Sequence, residues 1–116
     1  NHDRSIFIPF LDWGIPTLEC LLTMRDSFPD HHIIASGGVR HGLDAMRAYW
    51  LGAETISLAG PLLVQLLKHN KRPSPDSLSA LVDHLQRQMA LTLFLTGSPD
   101  LADFRTKEAL IDNKLI

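Results

Sequence analysis

The chain has 116 residues, 45% of them hydrophobic, 21% charged and 7% aromatic, a composition that suits one modest folded domain or a piece of a larger one and excludes a disordered tail. Eleven Lys and Arg against thirteen Asp and Glu give a formal charge of -2, which argues against nucleic-acid binding because no excess of cations is present to replace counterions around phosphates. The single cysteine, Cys20, permits neither an internal disulfide nor a thiolate zinc site, so a reducing, cytoplasmic setting is expected.

No apolar run approaches the roughly 18 residues of a membrane span. Asn1-His2-Asp3-Arg4 is no signal peptide and lacks an initiator Met, so the chain is expected to begin partway through a gene. Ile6-Phe7-Ile8-Pro9-Phe10-Leu11 is apolar but contains Pro9, which removes a ladder donor; an edge strand or a packed loop is expected there. Asp12 to Thr17 makes a turn that opens a helix from about Pro16 to Phe28, with Leu18, Leu21 and Leu22 at helical spacing and Pro29 ending it.

His31-His32-Ile33-Ile34-Ala35-Ser36 is short, apolar and followed by glycines, which predicts a parallel strand buried on both faces. Gly37 to Gly42 is the loop after it. A helix follows over Leu43 to Leu51, with Leu43, Met46 and Trp50 on one face and Gly52 as its stop. Glu54 to Ala59 is a second buried strand, and Gly60-Pro61 opens a helix to about His69. Asn70 to Pro75 is a polar turn. A long helix from about Asp76 carries Leu78, Leu81, Val82, Leu85 and Met89 on one stripe and ends at Gly97; Ser98-Pro99-Asp100 then caps a short helix over Leu101, Ala102 and Phe104.

This order predicts an α/β fold with parallel strands. Two clear strands and a doubtful third cannot close a sheet, whereas a complete eight-stranded α/β barrel needs about 250 residues. Residues 1–116 therefore read as the C-terminal part of one (β/α)8 TIM barrel: its last two to three βα units plus C-terminal helices.

Gly37-Gly38 and Gly60 each directly follow a strand and feed a helix. Without side chains they let backbone approach a ligand, and unpaired N–H groups at the helix start favour an anion. Two such loops after consecutive parallel strands lie side by side, which points to a phosphate site, with Arg40 adding positive charge. Against this stands the plain use of glycine in turns.

Other residues have simpler uses. His31 and His32 are adjacent and point to opposite faces of a strand, and His2, His41, His69 and His84 have no ligand spacing. No metal site is expected. Cys20 reads as helix packing, and Asp12 and Asp44 as carboxylates near helix starts rather than an acid–base pair. Trp13 and Trp50 read as core or interface, the cluster Lys68, Lys71 and Arg72 as a solvated helix end, and the stripe Leu78 to Met89 as the face of an outer barrel helix.

Phe10-Leu11-Asp12-Trp13-Gly14-Ile15-Pro16-Thr17, Ile34-Ala35-Ser36-Gly37-Gly38-Val39-Arg40 with Gly42-Leu43-Asp44, Leu51-Gly52-Ala53 and Leu58-Ala59-Gly60-Pro61-Leu62-Leu63 together resemble the type 2 isopentenyl diphosphate isomerases. The Ser-Gly-Gly-Val-Arg and Leu-Gly-Ala parts are shared with many FMN-dependent barrel oxidoreductases; the Asp-Trp-Gly-Ile-Pro-Thr and Ala-Gly-Pro-Leu-Leu segments sharpen the match. It runs from about Phe10 to Leu67.

The resemblance implies a (β/α)8 barrel that binds FMN, needs Mg²⁺, and interconverts isopentenyl and dimethylallyl diphosphate, with the flavin kept reduced through NADPH. It also implies that Gly37, Gly38, Val39 and Arg40, with Ala59 and Gly60, match the two FMN phosphate-binding segments, and that Ile6 to Leu11 lie in the connection before a barrel helix. The family's residues for the flavin ring, the metal and the substrate diphosphate are expected largely on barrel strands that precede these residues, and no catalytic residue is assigned here. A cytoplasmic homo-oligomer is expected, and the 116 residues alone are expected to be inactive. The alternatives are an FMN-dependent TIM-barrel oxidoreductase of the 2-hydroxy-acid dehydrogenase or oxidase type, and a non-catalytic barrel remnant that binds phosphate or a partner.

Overall fold

A computed structural model describes residues 4–69 and 74–108. Seven elements follow an irregular start: α1 (Thr17–Ser27), β1 (Ile34–Ala35), α2 (Gly42–Trp50), β2 (Thr55–Ile56), α3 (Gly60–His69), α4 (Pro75–Leu95) and α5 (Leu101–Thr106). The helices match the expected ones to within a residue or two, because each start and stop is set by local chemistry. Ser74 caps α4 by accepting the Ser77 N–H, with Pro75 at its first turn, and Asp100 caps α5 by accepting the Asp103 N–H. Gly52, at φ 112, stands just beyond α2 in a conformation that side chains resist.

The segment before α1 is neither strand nor loop. Arg4–Phe10 forms a 3-10 helix with Pro9 inside it and no buried residue. Proline fixes φ near the value a tight helix needs and denies the sheet a donor, so the helical alternative wins where no strand lies alongside. Trp13, edge-on to Phe10 with ring centroids 6.1 Å apart, is 81% exposed and belongs to no core. Among the residues named for the basic cluster, Lys71 and Arg72 lie outside the described residues, as does His2.

β1 and β2 pair in parallel, Ile34 opposite Thr55 and Ala35 opposite Ile56. Backbone bonds extend the match at both ends: Glu54 N–H donates to Ile33 O at 2.9 Å and Ser57 N–H to Ala35 O at 2.8 Å. Both strands are far shorter than the six apolar residues suggested. Nor are they buried on both faces: Ala35 is buried, but Ile34 is 62% exposed and Thr55 is exposed too. A two-stranded sheet has two open edges, and only the face under α1 and α2 is covered, so the expected burial has no source among the described residues.

That covered face is the core. Leu21 of α1, Ala35 of β1, Ala48 and Leu51 of α2, and Ala53 cluster together, with Leu18, Leu22, Ile33, Trp50 and Ile56 packed around them. A second layer joins α2 to α4, with Met46 wholly buried and Leu85 buried. The helices approach closely at Gly42, where a Cβ would lie 2.6 Å from Gln88 Cβ and from Leu85 O. There Gly42 N–H donates to Gln88 Oε1 at 2.7 Å. Of the predicted α4 stripe, only Leu85 is buried; Leu78 and Val82 stay exposed, as do Phe94 and Leu95 further along.

α5 is pinned to the end of α2. Arg105 donates from Nε to Tyr49 O at 3.2 Å and from Nη2 to Ala53 O, and its guanidinium stacks 3.9 Å from the Tyr49 ring centroid. Trp50 Nε1 donates to Lys107 O at 3.0 Å, so this tryptophan serves packing, as expected.

Candidate functional site

The parallel register fixes where the two glycine loops lie. Both leave the same end of the sheet, directly after the last paired residues, Ala35 and Ile56, and the bond from Ser57 N–H to Ala35 O. Gly37 has φ 94 and Gly38 φ 73, so the chain turns sharply through left-handed conformations at both. A Cβ on Gly38 or Gly60 would meet nothing within 4 Å, which leaves open space above both backbones. Among the described residues, no protein acceptor takes the N–H of Gly38, Ala59 or Gly60; Leu63 N–H is the first to turn back, to Ala59 O at 3.0 Å. Donors without partners at the head of a helix suit an anion.

A cleft of about 330 Å³ opens beside the first loop, lined by Gly37 to Arg40, by Pro16 to Glu19 at the head of α1, and by Asp44, Arg47 and Ala48 of α2. Gly37, Gly38, Val39 and Arg40 are thus brought together. Ala59 and Gly60 follow the neighbouring strand at the same end of the sheet but do not line this cleft. Val39 is buried and anchors the loop, while the Arg40 side chain is 77% exposed.

Two side chains hold the first loop in place, and the sequence reading named neither for that task. Thr17 Oγ1 donates to Gly37 O at 3.0 Å across the cleft. Asp44, at the third position of α2, accepts the Arg40 backbone N–H at 3.2 Å and Arg40 Nε at 3.3 Å, both on Oδ2. Arg47 Nη1 lies 3.5 Å from Oδ1. His41 is the N-cap, its Nδ1 accepting the Asp44 N–H at 3.2 Å. The pattern is a capping box with its return bond displaced by one residue. Its signal was legible in the three-residue spacing of His41 and Asp44. Asp12, by contrast, does not line the cleft.

Among the described residues, no three His, Cys, Asp or Glu side chains form a metal-ligand cluster, and no helix is long and apolar enough to cross a membrane. His32 is held by Glu54 at 2.9 Å and by Thr55 Oγ1 at 2.7 Å, at the end of the strands opposite the glycine loops.

A family model described as FMN-dependent dehydrogenase matches residues 10–111, which takes in both glycine loops and the helices behind them. The chain belongs to that family.

Its curated relatives include several isopentenyl-diphosphate delta-isomerases. That of Stutzerimonas stutzeri is 39% identical over 107 residues, covering 92% of this chain and 30% of the relative. That of Metallosphaera sedula is 37% identical over 106 residues, covering 91% and 28%. That of Vibrio campbellii is 43% identical over 96 residues, covering 79% and 26%. The chain thus spans under a third of the length of these relatives, and the resemblance read from its four segments extends over most of the chain.

Proposed function

We propose that residues 1–116 are the C-terminal part of one FMN-dependent (β/α)8 barrel domain, and that their task is to hold the FMN phosphate. Gly37, Gly38, Val39 and Arg40 form one side of the seat, and Ala59 and Gly60 the other. The supporting observation is the parallel register, which sets two open-backed glycine loops side by side with unclaimed N–H groups on both. The residues fit the group: the left-handed turn at Gly37-Gly38 aims backbone donors, the head of α3 contributes its dipole, and Arg40 adds a cation at the rim.

The whole protein is then an isopentenyl-diphosphate delta-isomerase that interconverts isopentenyl and dimethylallyl diphosphate in the cytoplasm as a homo-oligomer. Its Mg²⁺ and its NADPH act away from these residues. When bound, FMN supplies the proton addition and removal at carbon; this chain's own residues anchor the phosphate end and so fix where the ring lies.

The test compares FMN with riboflavin, which lacks the phosphate, in the full-length protein. FMN is expected to bind far more tightly, and Gly60→Glu to erase the difference. Gly60 has an ordinary φ and open space above it, and a carboxylate suits a helix head, so the substitution blocks the anion without disturbing the fold. Equal affinities for the two flavins in the native protein overturn the assignment. Turnover distinguishes the oxidoreductase reading: isomerisation leaves the flavin's redox state unchanged, whereas a 2-hydroxy-acid dehydrogenase reduces it with every substrate.

A further inference from the structure

The Asp44 carboxylate is only 13% exposed, yet it sits in the first turn of α2, directly behind the proposed phosphate loop, where a negative charge would by itself weaken anion binding. Its bonds account for its presence. A single oxygen, Oδ2, takes both the backbone N–H and the Nε of Arg40, so one atom fixes the end of the glycine loop and the stem of its guanidinium together. Oδ1 faces Arg47 at 3.5 Å, and His41 Nε2 lies 3.5 Å from Oδ2. With Nε bound, the two terminal nitrogens of Arg40 remain for a ligand, and the planar fork then has one direction to point.

We infer that Asp44 is the positioning residue of the phosphate seat: it orients Arg40 and the Gly38–Arg40 backbone toward the anion, and its benefit through geometry exceeds its cost through charge. The inference rests on the phosphate reading above and adds a residue to it.

Charge and geometry predict opposite signs, which makes the test decisive. In Asp44→Ala both the charge and the acceptor are lost. In Asp44→Asn the charge is lost, but an amide oxygen can take the place of Oδ2 and receive both Arg40 bonds, while the exposed Arg47 turns to solvent. Affinities for FMN and riboflavin are measured on full-length protein. In Asp44→Ala, FMN is expected to bind about tenfold more weakly, with riboflavin changed by no more than about twofold. In Asp44→Asn, FMN affinity is expected within about threefold of native. If Asp44→Ala does not yield folded protein, Asp44→Ser replaces it with the same expected loss, since serine suits the first turn but its hydroxyl falls short of the Oδ2 position.

An unchanged FMN-to-riboflavin ratio in the Ala or Ser variant overturns the inference, as does FMN binding more than about threefold tighter than native in any of the three variants. A native protein that does not discriminate between the flavins instead refutes the phosphate reading itself.

Discussion

The contact between α2 and α4 is so close at Gly42 that the smallest added side chain should separate the helices. In Gly42→Ala, the new Cβ falls 2.6 Å from Gln88 Cβ and Leu85 O and 3.1 Å from Met89 N. Ordinary carbon contacts lie at about 3.5–4.0 Å, so the helices must part by roughly 1 Å. Two of the three neighbours are helix backbone and cannot swing aside. Overpacking of this kind costs about 1–3 kcal/mol, and stretching the Gly42 N–H to Gln88 Oε1 bond forfeits about 1 kcal/mol more. Alanine's better helix propensity returns up to about 1 kcal/mol. The net is a loss of about 2 kcal/mol, which lowers the thermal midpoint by about 4–8 °C for a domain of 150–250 residues and by less for a longer one. Thermal unfolding of native and variant full-length protein, followed by circular dichroism at one scan rate, measures it. A midpoint unchanged or raised would show that α4 is not seated on α2 as described, and the account of the second core layer would fail with it.

Two further substitutions probe how the strand–helix–strand unit is held. Arg105→Ala removes the stack on Tyr49 and the bonds to Tyr49 O and Ala53 O, and should cost about 2 kcal/mol by denaturant titration. Arg105→Lys should recover less than half of it, since an ammonium cannot span two carbonyls while stacking; full recovery would reduce the role of Arg105 to its charge. Gly52→Ala combines φ 112 with a Cβ 3.0 Å from the Arg25 side chain, and a loss of about 1–2 kcal/mol is expected. Equal stability of that variant would mean the turn after α2 relaxes freely. These join the flavin-binding outcomes expected for Gly60→Glu and for Asp44→Ala and Asp44→Asn.

The helices were legible because their punctuation is local: Pro16 before α1, Gly52 after α2, Ser74-Pro75 and Asp100 at the heads of α4 and α5. The loops that make the candidate site were legible for the same reason, glycine directly after an apolar run. Strand length was not. Ile33-Ile34-Ala35 reads as an inner strand because its residues suit burial on both sides, and that mismatch with a chain offering too few strands is what pointed to a partial barrel; the paired length, two residues in each strand, follows from which neighbours lie alongside and not from composition. The 3-10 turn over Ile6 to Phe10 was hidden by the same ambiguity of a short apolar run. Thr17 escaped notice because its bond to Gly37 O crosses between elements far apart in sequence. Asp44 was recognised as belonging to a helix start, but its hold on Arg40 depends on the loop folding back over that start.

The register of β1 against β2 is carried by backbone bonds, from Glu54 N–H to Ile33 O through to Ser57 N–H to Ala35 O, with the His32 side-chain bonds only at the end away from the loops. The gap between the two loops is therefore insensitive to which side chains the strands carry, so long as they remain strands. Evolution can rewrite the loops one residue at a time, altering what they grip, while the ruler between them stays the same. That separation of gauge from grip leaves the loops free to change while the strands that space them stay as they are.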